Sequence, residues 1–255
     1  MARVISARLR RAMADPLHLI IAAHIDDDGV GMGIRVRQLK DVRIVYLTDS
    51  APRDPRFFNS ECSSRQEYAA RRRLEAERAA AWMGIAREQL HFLEAVDMEA
   101  FRELARLESE LQRIAAAWPP ATIWSPAYDG GHPDHDVAAF LAARLAARTG
   151  ARHWQFALYR FRKRLEPGQF AAGDPGLVRY LNSEERELKR QLFQLYRSQA
   201  QLLTHFDHGY ERHRPALAHD FRTRPTKQPT LYEAWRWPVT AEMLLAAFAA
   251  IDKFS

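Results

Sequence analysis

The chain has one cysteine, Cys62, so no disulfide can form within it, and a reducing, cytoplasmic setting is the expected one. No histidine stands near Cys62, which leaves it as a small packed side chain and not a nucleophile. Long apolar runs are missing as well: nothing approaches the ~20 consecutive apolar residues that span a bilayer. Met1 to Asp15 carries Arg3, Arg8, Arg10 and Arg11 without a continuous apolar stretch, so it reads as a packed amphipathic helix or a basic tail and not as a secretory signal. A strong excess of one charge is absent too. The net charge of +6 is spread over interleaved Arg and Glu, as in Arg71-Arg72-Arg73-Leu74-Glu75-Ala76-Glu77-Arg78, a spacing that suits a solvated helix. No zinc-finger, RNA-recognition or helix-turn-helix pattern is present, so nucleic acid is not an expected partner, whereas an anionic small substrate would use the positive balance. The dinucleotide fingerprint fails on register: Gly29 and Gly31 are followed by Ile34 where a third glycine is needed, and the acidic neighbours would repel a pyrophosphate. Gly29, Gly31 and Gly33 are better read as room for close packing.

What the chain does have is an alternation of short apolar runs with helical stretches. Leu17 to Ala23, Val42 to Leu47, Leu90 to Leu93, Ala121 to Ser125 and His153 to Tyr159 read as strands; Ser64 to Met83, Met98 to Ala117 and Val137 to Arg148 read as helices between them. Strand and helix in turn predict an α/β fold, a Rossmann-like three-layer arrangement around a mainly parallel sheet. With 47% hydrophobic residues and no low-complexity stretch, residues 1–255 are expected to form one domain, in which 160–255 is a more irregular helical and loop portion bordering the cleft. There, Gly168 to Gly176 reads as a connection, Ser183 to Leu203 as one long helix, and Met243 to Ile251 as a final core helix. His205, His208, His213 and His219 have no acidic or cysteine company and read as surface residues of a loop, as His91 reads as a packed or surface residue.

Chemistry concentrates behind two of the strands. His24-Ile25-Asp26-Asp27-Asp28 follows the first, and Tyr128-Asp129-Gly130-Gly131-His132-Pro133-Asp134-His135 follows the fourth. Either cluster alone could be no more than a polar helix cap. Two of them at strand ends that face one sheet edge can converge on a single ion: His24, Asp27 and a histidine of the second cluster make the three-ligand set of a catalytic metal with an open position.

The pair Ala23-His24-Ile25-Asp26-Asp27-Asp28 and Gly131-His132-Pro133-Asp134-His135 resembles the Ala-His-Pro-Asp-Asp-Glu and His-Pro-Asp-His motifs of the PIG-L (LmbE-like) N-acetylglucosaminyl deacetylases. Leu47-Thr48-Asp49-Ser50-Ala51, Arg72-Arg73-Leu74-Glu75, Lys189 with Tyr196-Arg197-Ser198-Gln199, and Leu231-Tyr232-Glu233 resemble further segments of that family. Ile25 stands where the family has Pro and Asp28 where it has Glu; neither replacement removes a metal-binding atom.

The resemblance implies a zinc-dependent hydrolase that removes an N-acetyl group from an amino sugar or glycoconjugate. It implies His24, Asp27 and His135 as metal ligands, with Zn2+ the expected ion and iron, cobalt or manganese compatible with the same donors. Asp26 would be the general base and His132, as an imidazolium kept charged by Asp134, the general acid. Arg72, Asp28 and Tyr128 are candidate substrate contacts. The alternatives are an amidase acting on a larger thiol or antibiotic conjugate, and a catalytically silent metal- or ligand-binding module of the same fold; both a monomer and a homo-oligomer are compatible with the sequence.

Overall fold

The computed structural model describes residues 16–252 apart from 59–60, 162–163, 172 and 174. The helix or tail expected over Met1 to Asp15 therefore lies outside the described residues.

Five strands form the parallel part of the main sheet: β1 (His18–Ala22), β2 (Val42–Thr48), β3 (Leu90–Ala95), β4 (Thr122–Pro126) and β5 (Arg152–Phe156). β1 lies between β2 and β4, with Ile20 opposite Ile44 on one side and Trp124 on the other. The alternation of side chains along β1 explains the layers. Leu19 and Ile21 face one way, into a core with α3 (Leu104–Ala117), α4 (Pro133–Thr149) and α7 (Ala241–Asp252). Ile20 and Ala22 face the other way, against α1 (Asp27–Val36), α2 (Arg65–Met83) and α5 (Ser183–Phe193). Strands buried on both faces have to read as continuous apolar runs, as β1 does from Leu19 and β2 does from Ile44 to Leu47. The last helix packs as core, as its composition predicts.

The sheet continues where the sequence pattern does not. β9 (Tyr210–Pro215) adds antiparallel to β5, and β8 (Leu177–Tyr180) antiparallel to β9, for the order β3-β2-β1-β4-β5-β9-β8. β9 falls inside the stretch expected to be loop. Its inward residues are Glu211, His213 and Arg214 and not apolar ones, so it carries no hydrophobic alternation. His213 is accordingly buried, not a surface residue. The run expected as one strand to Tyr159 breaks after Phe156, and Tyr159–Phe161 turns away as β6 to pair with β7 (Leu165–Pro167). The long helix expected from Ser183 to Leu203 is also interrupted. It ends at Phe193, and after a short 3-10 turn at Arg197–Gln199 only α6 (Ala200–Leu203) follows. A tertiary contact stands there instead: the N–H and Oγ–H of Ser198 bind the Glu75 carboxylate on α2, at 2.9 and 2.6 Å, in place of helical partners.

The glycines of α1 serve packing. A Cβ on Gly31 would stand 2.3 Å from the Phe156 ring, so only glycine lets the helix lie this close to β5. The helix is also kinked at Met32, which leaves the amides of Ile34 and Arg35 without helical carbonyls. Glu211 of β9 accepts both, at 2.8 and 3.0 Å, and Lys189 of α5 donates to the same carboxylate at 3.0 Å. Lys189 and Glu211 are almost wholly buried, so each depends on the other.

Lys189→Met should therefore destabilise the fold by about 3–5 kcal/mol in urea unfolding, because it strands a buried carboxylate, and Lys189→Met/Glu211→Gln should recover part of that loss. An unchanged midpoint for the single variant contradicts the assignment. A second expectation concerns acid. Burial pushes the imidazoles of His153 and His213 down to about 4, so both are neutral in the folded chain while an unfolded histidine takes a proton near 6.5. Their contribution is complete above pH 6.5 and is lost as pH falls toward 4. The urea midpoint should drop between pH 7 and pH 5, and His213→Gln should flatten that drop.

Candidate metal centre and active site

β1 and β4 are neighbours and parallel, so their carboxyl ends open side by side and the helices that follow start side by side. Asp27 opens α1, and its Oδ2 folds back to accept the amides of Ala23 and His24 at 2.9 and 2.8 Å. That clamp fixes the carboxylate and turns Oδ1 toward the first turn of α4, where His135 Nε2 lies 3.2 Å away. His24 Nδ1 is 3.2 Å from the same His135 nitrogen and 3.6 Å from Asp27 Oδ2. His24, Asp27 and His135 are all buried.

These separations test the fit of a metal. With bonds of about 2.0–2.1 Å, the edge of a ligand tetrahedron is about 3.3 Å, close to the distances found among the three donors. Two nitrogens and a carboxylate oxygen are the donor chemistry of a divalent transition ion. The other ring nitrogen supports the same conclusion. His24 Nε2 faces Asp97 Oδ1 at 3.2 Å and Asp134 Oδ2 at 3.4 Å, so its proton sits there and the Nδ1 lone pair is free toward the other two donors. In the cation-free chain, burial would depress His24, but Asp97 and Asp27 outweigh it and hold the imidazole well above its ordinary value. Asp27 is held well below its own, because His135 and His24 outweigh the cost of burial.

Two groups flank this cluster without joining it. Asp26 lines the same cavity, and Arg72 of α2 donates to its Oδ1 at 3.1 Å. Arg72 is itself held from behind by Ser198 Oγ at 3.4 Å and by the Glu75 carboxylate at 3.9 Å. His132 is the N-cap of α4, and its Nδ1 accepts the amide of Asp134 at 3.2 Å. An acceptor nitrogen carries no proton, so the ring is neutral and presents Nε2–H, with Asp97 Oδ1 3.7 Å away. Burial, and next the charge of His24, push the His132 imidazole well down, in keeping with a neutral ring. In the cation-free chain this differs from the expected imidazolium. The Asp134 carboxylate accepts the amides of Met98 and Ala100 at 2.6 and 3.2 Å and faces His24, with His132 Nδ1 at 4.0 Å.

Asp28 and Tyr128, two of the candidate substrate contacts, stand away from this cavity. Asp28 is fully buried beneath α1, accepts from the Tyr46 hydroxyl at 3.3 Å, and is pushed up to about 8 by burial and by Asp27 beside it. Tyr128 points into the core against Phe221 and Phe248 and donates to the Thr223 carbonyl at 2.9 Å. Neither lines the cavity of about 240 Å³ that holds His24, Asp26, Asp27, Arg72, Asp97, His132 and His135. Ile25, in the place of the family's proline, is buried, and its amide donates to Ser50 Oγ at 3.0 Å, a bond proline could not make. Sequence reasoning missed Asp97. It stands just past the end of β3, so the rule that picked out the other two strand ends would have found it had the third been searched.

The sequence profile of the family described as GlcNAc-PI de-N-acetylase, PIG-L, matches residues 19–146, half of the chain and both strand-end clusters. No curated protein matches. Among solved structures, the deacetylase–bog complex of the teicoplanin biosynthesis pathway is 17% identical with a TM-score of 0.58, over 77% of this chain and 95% of that one. A deacetylase of the A40926 pseudoaglycone is 20% identical with a TM-score of 0.58, over 75% and 85%. The N,N'-diacetylchitobiose deacetylase from Pyrococcus horikoshii is 20% identical with a TM-score of 0.54, over 80% and 85%. At such identities these structures speak for the fold, a Rossmann-like α/β arrangement, and the profile speaks for the family. The chain belongs to the PIG-L, GlcNAc-PI de-N-acetylase, family.

Proposed function

We propose that the protein is a metal-dependent hydrolase that removes the N-acetyl group of an amino sugar or glycoconjugate, in one catalytic unit spanning residues 1–255. The observation that carries this is the convergence of His24, Asp27 and His135 at ligand-edge distances, with Asp26 and His132 left unligated on the same cavity. Family membership supports it, and so do the deacetylases of like fold, one of them solved as a zinc inhibited form. Zinc is the ion we assign to the three donors, which also accept iron, cobalt or manganese. The chemistry such an ion brings when bound is Lewis acidity toward water and toward the acetyl carbonyl.

The chain's own groups do the rest. Asp26, aimed by Arg72, takes the proton of the attacking water as that water adds to the acetyl carbon. His132 turns Nε2–H toward the carbonyl oxygen and donates to it as negative charge develops there. The proton on Asp26 then passes to the leaving nitrogen as the C–N bond breaks, which frees the amine and acetate. A neutral His132 suits an oxyanion donor and not a proton source, so the acid falls to Asp26. Arg72 acts through Asp26, and Asp97 and Asp134 act through His24 by holding its Nε2–H.

Three measurements test this. Acetate release from a panel of N-acetylated sugars and conjugates should require a divalent ion and stop on chelation; no release from any of them would favour a silent binding module. Asp26→Asn should lower turnover by about 10²–10⁴-fold with metal content, read by elemental analysis, nearly unchanged. A fully active variant rejects the base. Asp97→Ala should weaken metal affinity by about 10–100-fold in calorimetric titration, and an unaltered affinity removes Asp97 from the support of His24.

A further inference from the structure

We infer that the substrate carries an uncharged apolar substituent beside the acetylated amino group, and that this substituent, an alkyl or aryl group, lies along the walls of the catalytic cavity. This rests on the deacetylase assignment above and names its substrate more closely. The floor of the cavity is polar and its walls are not. Phe57, Leu158, Leu202, Phe206, Trp235 and Trp237 stand around the same space that holds Asp26 and His132. Of these, Phe57, Leu202 and Trp235 are 37, 41 and 52% exposed, so large apolar surface is left facing solvent at the one place where a ligand has to enter.

The polar groups of the cavity point the same way. Outside the catalytic cluster the lining includes the polar side chains of Ser50, Tyr68, Tyr159 and Gln199. Gln199 Nε2 is spent on the Tyr68 hydroxyl at 2.6 Å, and Ser50 Oγ accepts the amide of Ile25 at 3.0 Å. Against these few polar groups stand the six apolar side chains named above. Among the described residues the guanidinium that lines the cavity is that of Arg72, and it is engaged by Asp26. Because one cavity holds both the catalytic groups and the apolar walls, the occupant we assign is part of the substrate itself and not a second molecule.

Methyl and hexyl β-glycosides of N-acetylglucosamine share the sugar and the amide and differ only in apolar length. For the metal-loaded enzyme, kcat/KM for the hexyl glycoside should exceed that for the methyl glycoside by at least about tenfold, and Trp235→Ala/Leu202→Ala should shrink that ratio to within about threefold of unity. N-acetylglucosamine 1-phosphate should be a poorer substrate than the methyl glycoside. Equal kcat/KM for the two glycosides, or a preference for the phosphate, overturns the inference. Calorimetry with the two product amines, methyl and hexyl β-glucosaminide, needs no turnover and should show the same order; equal affinities overturn it. If the hexyl amine binds more tightly but neither N-acetyl glycoside is cleaved, the deacetylase assignment fails while the apolar cavity stands.

Discussion

The parallel ladder between β1 and β4 is the constraint on which the site depends. Two strands that pair in parallel end at the same sheet edge, and each must be followed by a helix that starts there. Residues 111 positions apart in the chain, His24 and His135, are thereby brought to 3.2 Å between ring nitrogens. No local preference could do this, because a turn positions only its own few residues. The strands are fully apolar in their central parts, so the ladder is fixed by burial, and the polar turns have no choice but to meet.

Gathering four carboxylates and three imidazoles in buried space sets an electrostatic problem, and the fold solves it by assigning each group a partner. Asp27 takes two backbone amides, Asp134 takes two others, Asp26 takes Arg72, and Asp97 is shared between His24 and His132. A cation among His24, Asp27 and His135, as proposed, would complete this arrangement. The supports extend outward: Glu75 and Ser198 brace Arg72, and Glu211 with Lys189 secures the kinked helix whose first turn carries Asp27. Family segments that look scattered in the sequence, the Arg72 to Glu75 stretch and the Ser198-Gln199 pair, are thus one structural unit behind Asp26.

The polar floor and apolar walls have separate origins. The floor comes from the strand ends of the parallel sheet, which the family profile covers. Most of the walls come from later residues, Leu158, Tyr159, Leu165, Leu202, Leu203, Phe206, Leu231, Trp235 and Trp237, beyond the matched residues. The two parts touch where Trp237 packs on His132 and Tyr159 on His135, at 5.2 and 5.3 Å between ring centroids.

Much of this was legible in the linear sequence. The five parallel strands, their helices and the clustered His and Asp behind the first and fourth follow from apolar periodicity and from the chemistry of the side chains, because both act over a few residues. Register and partnership do not act locally, and there the sequence misled. Asp134 lies two residues from His132 yet its carboxylate serves His24, because α4 turns it toward the amides after β3. Tyr128 sits beside the motif but packs into the core, and β9 hides a charged inward face that no hydrophobic pattern announces. By itself, then, the sequence determined which groups were available for catalysis and that a parallel sheet would present them. The tertiary structure alone decided which nitrogen of each histidine is free and which carboxylate holds it, since a proton's position depends on atoms that meet only once the chain has folded.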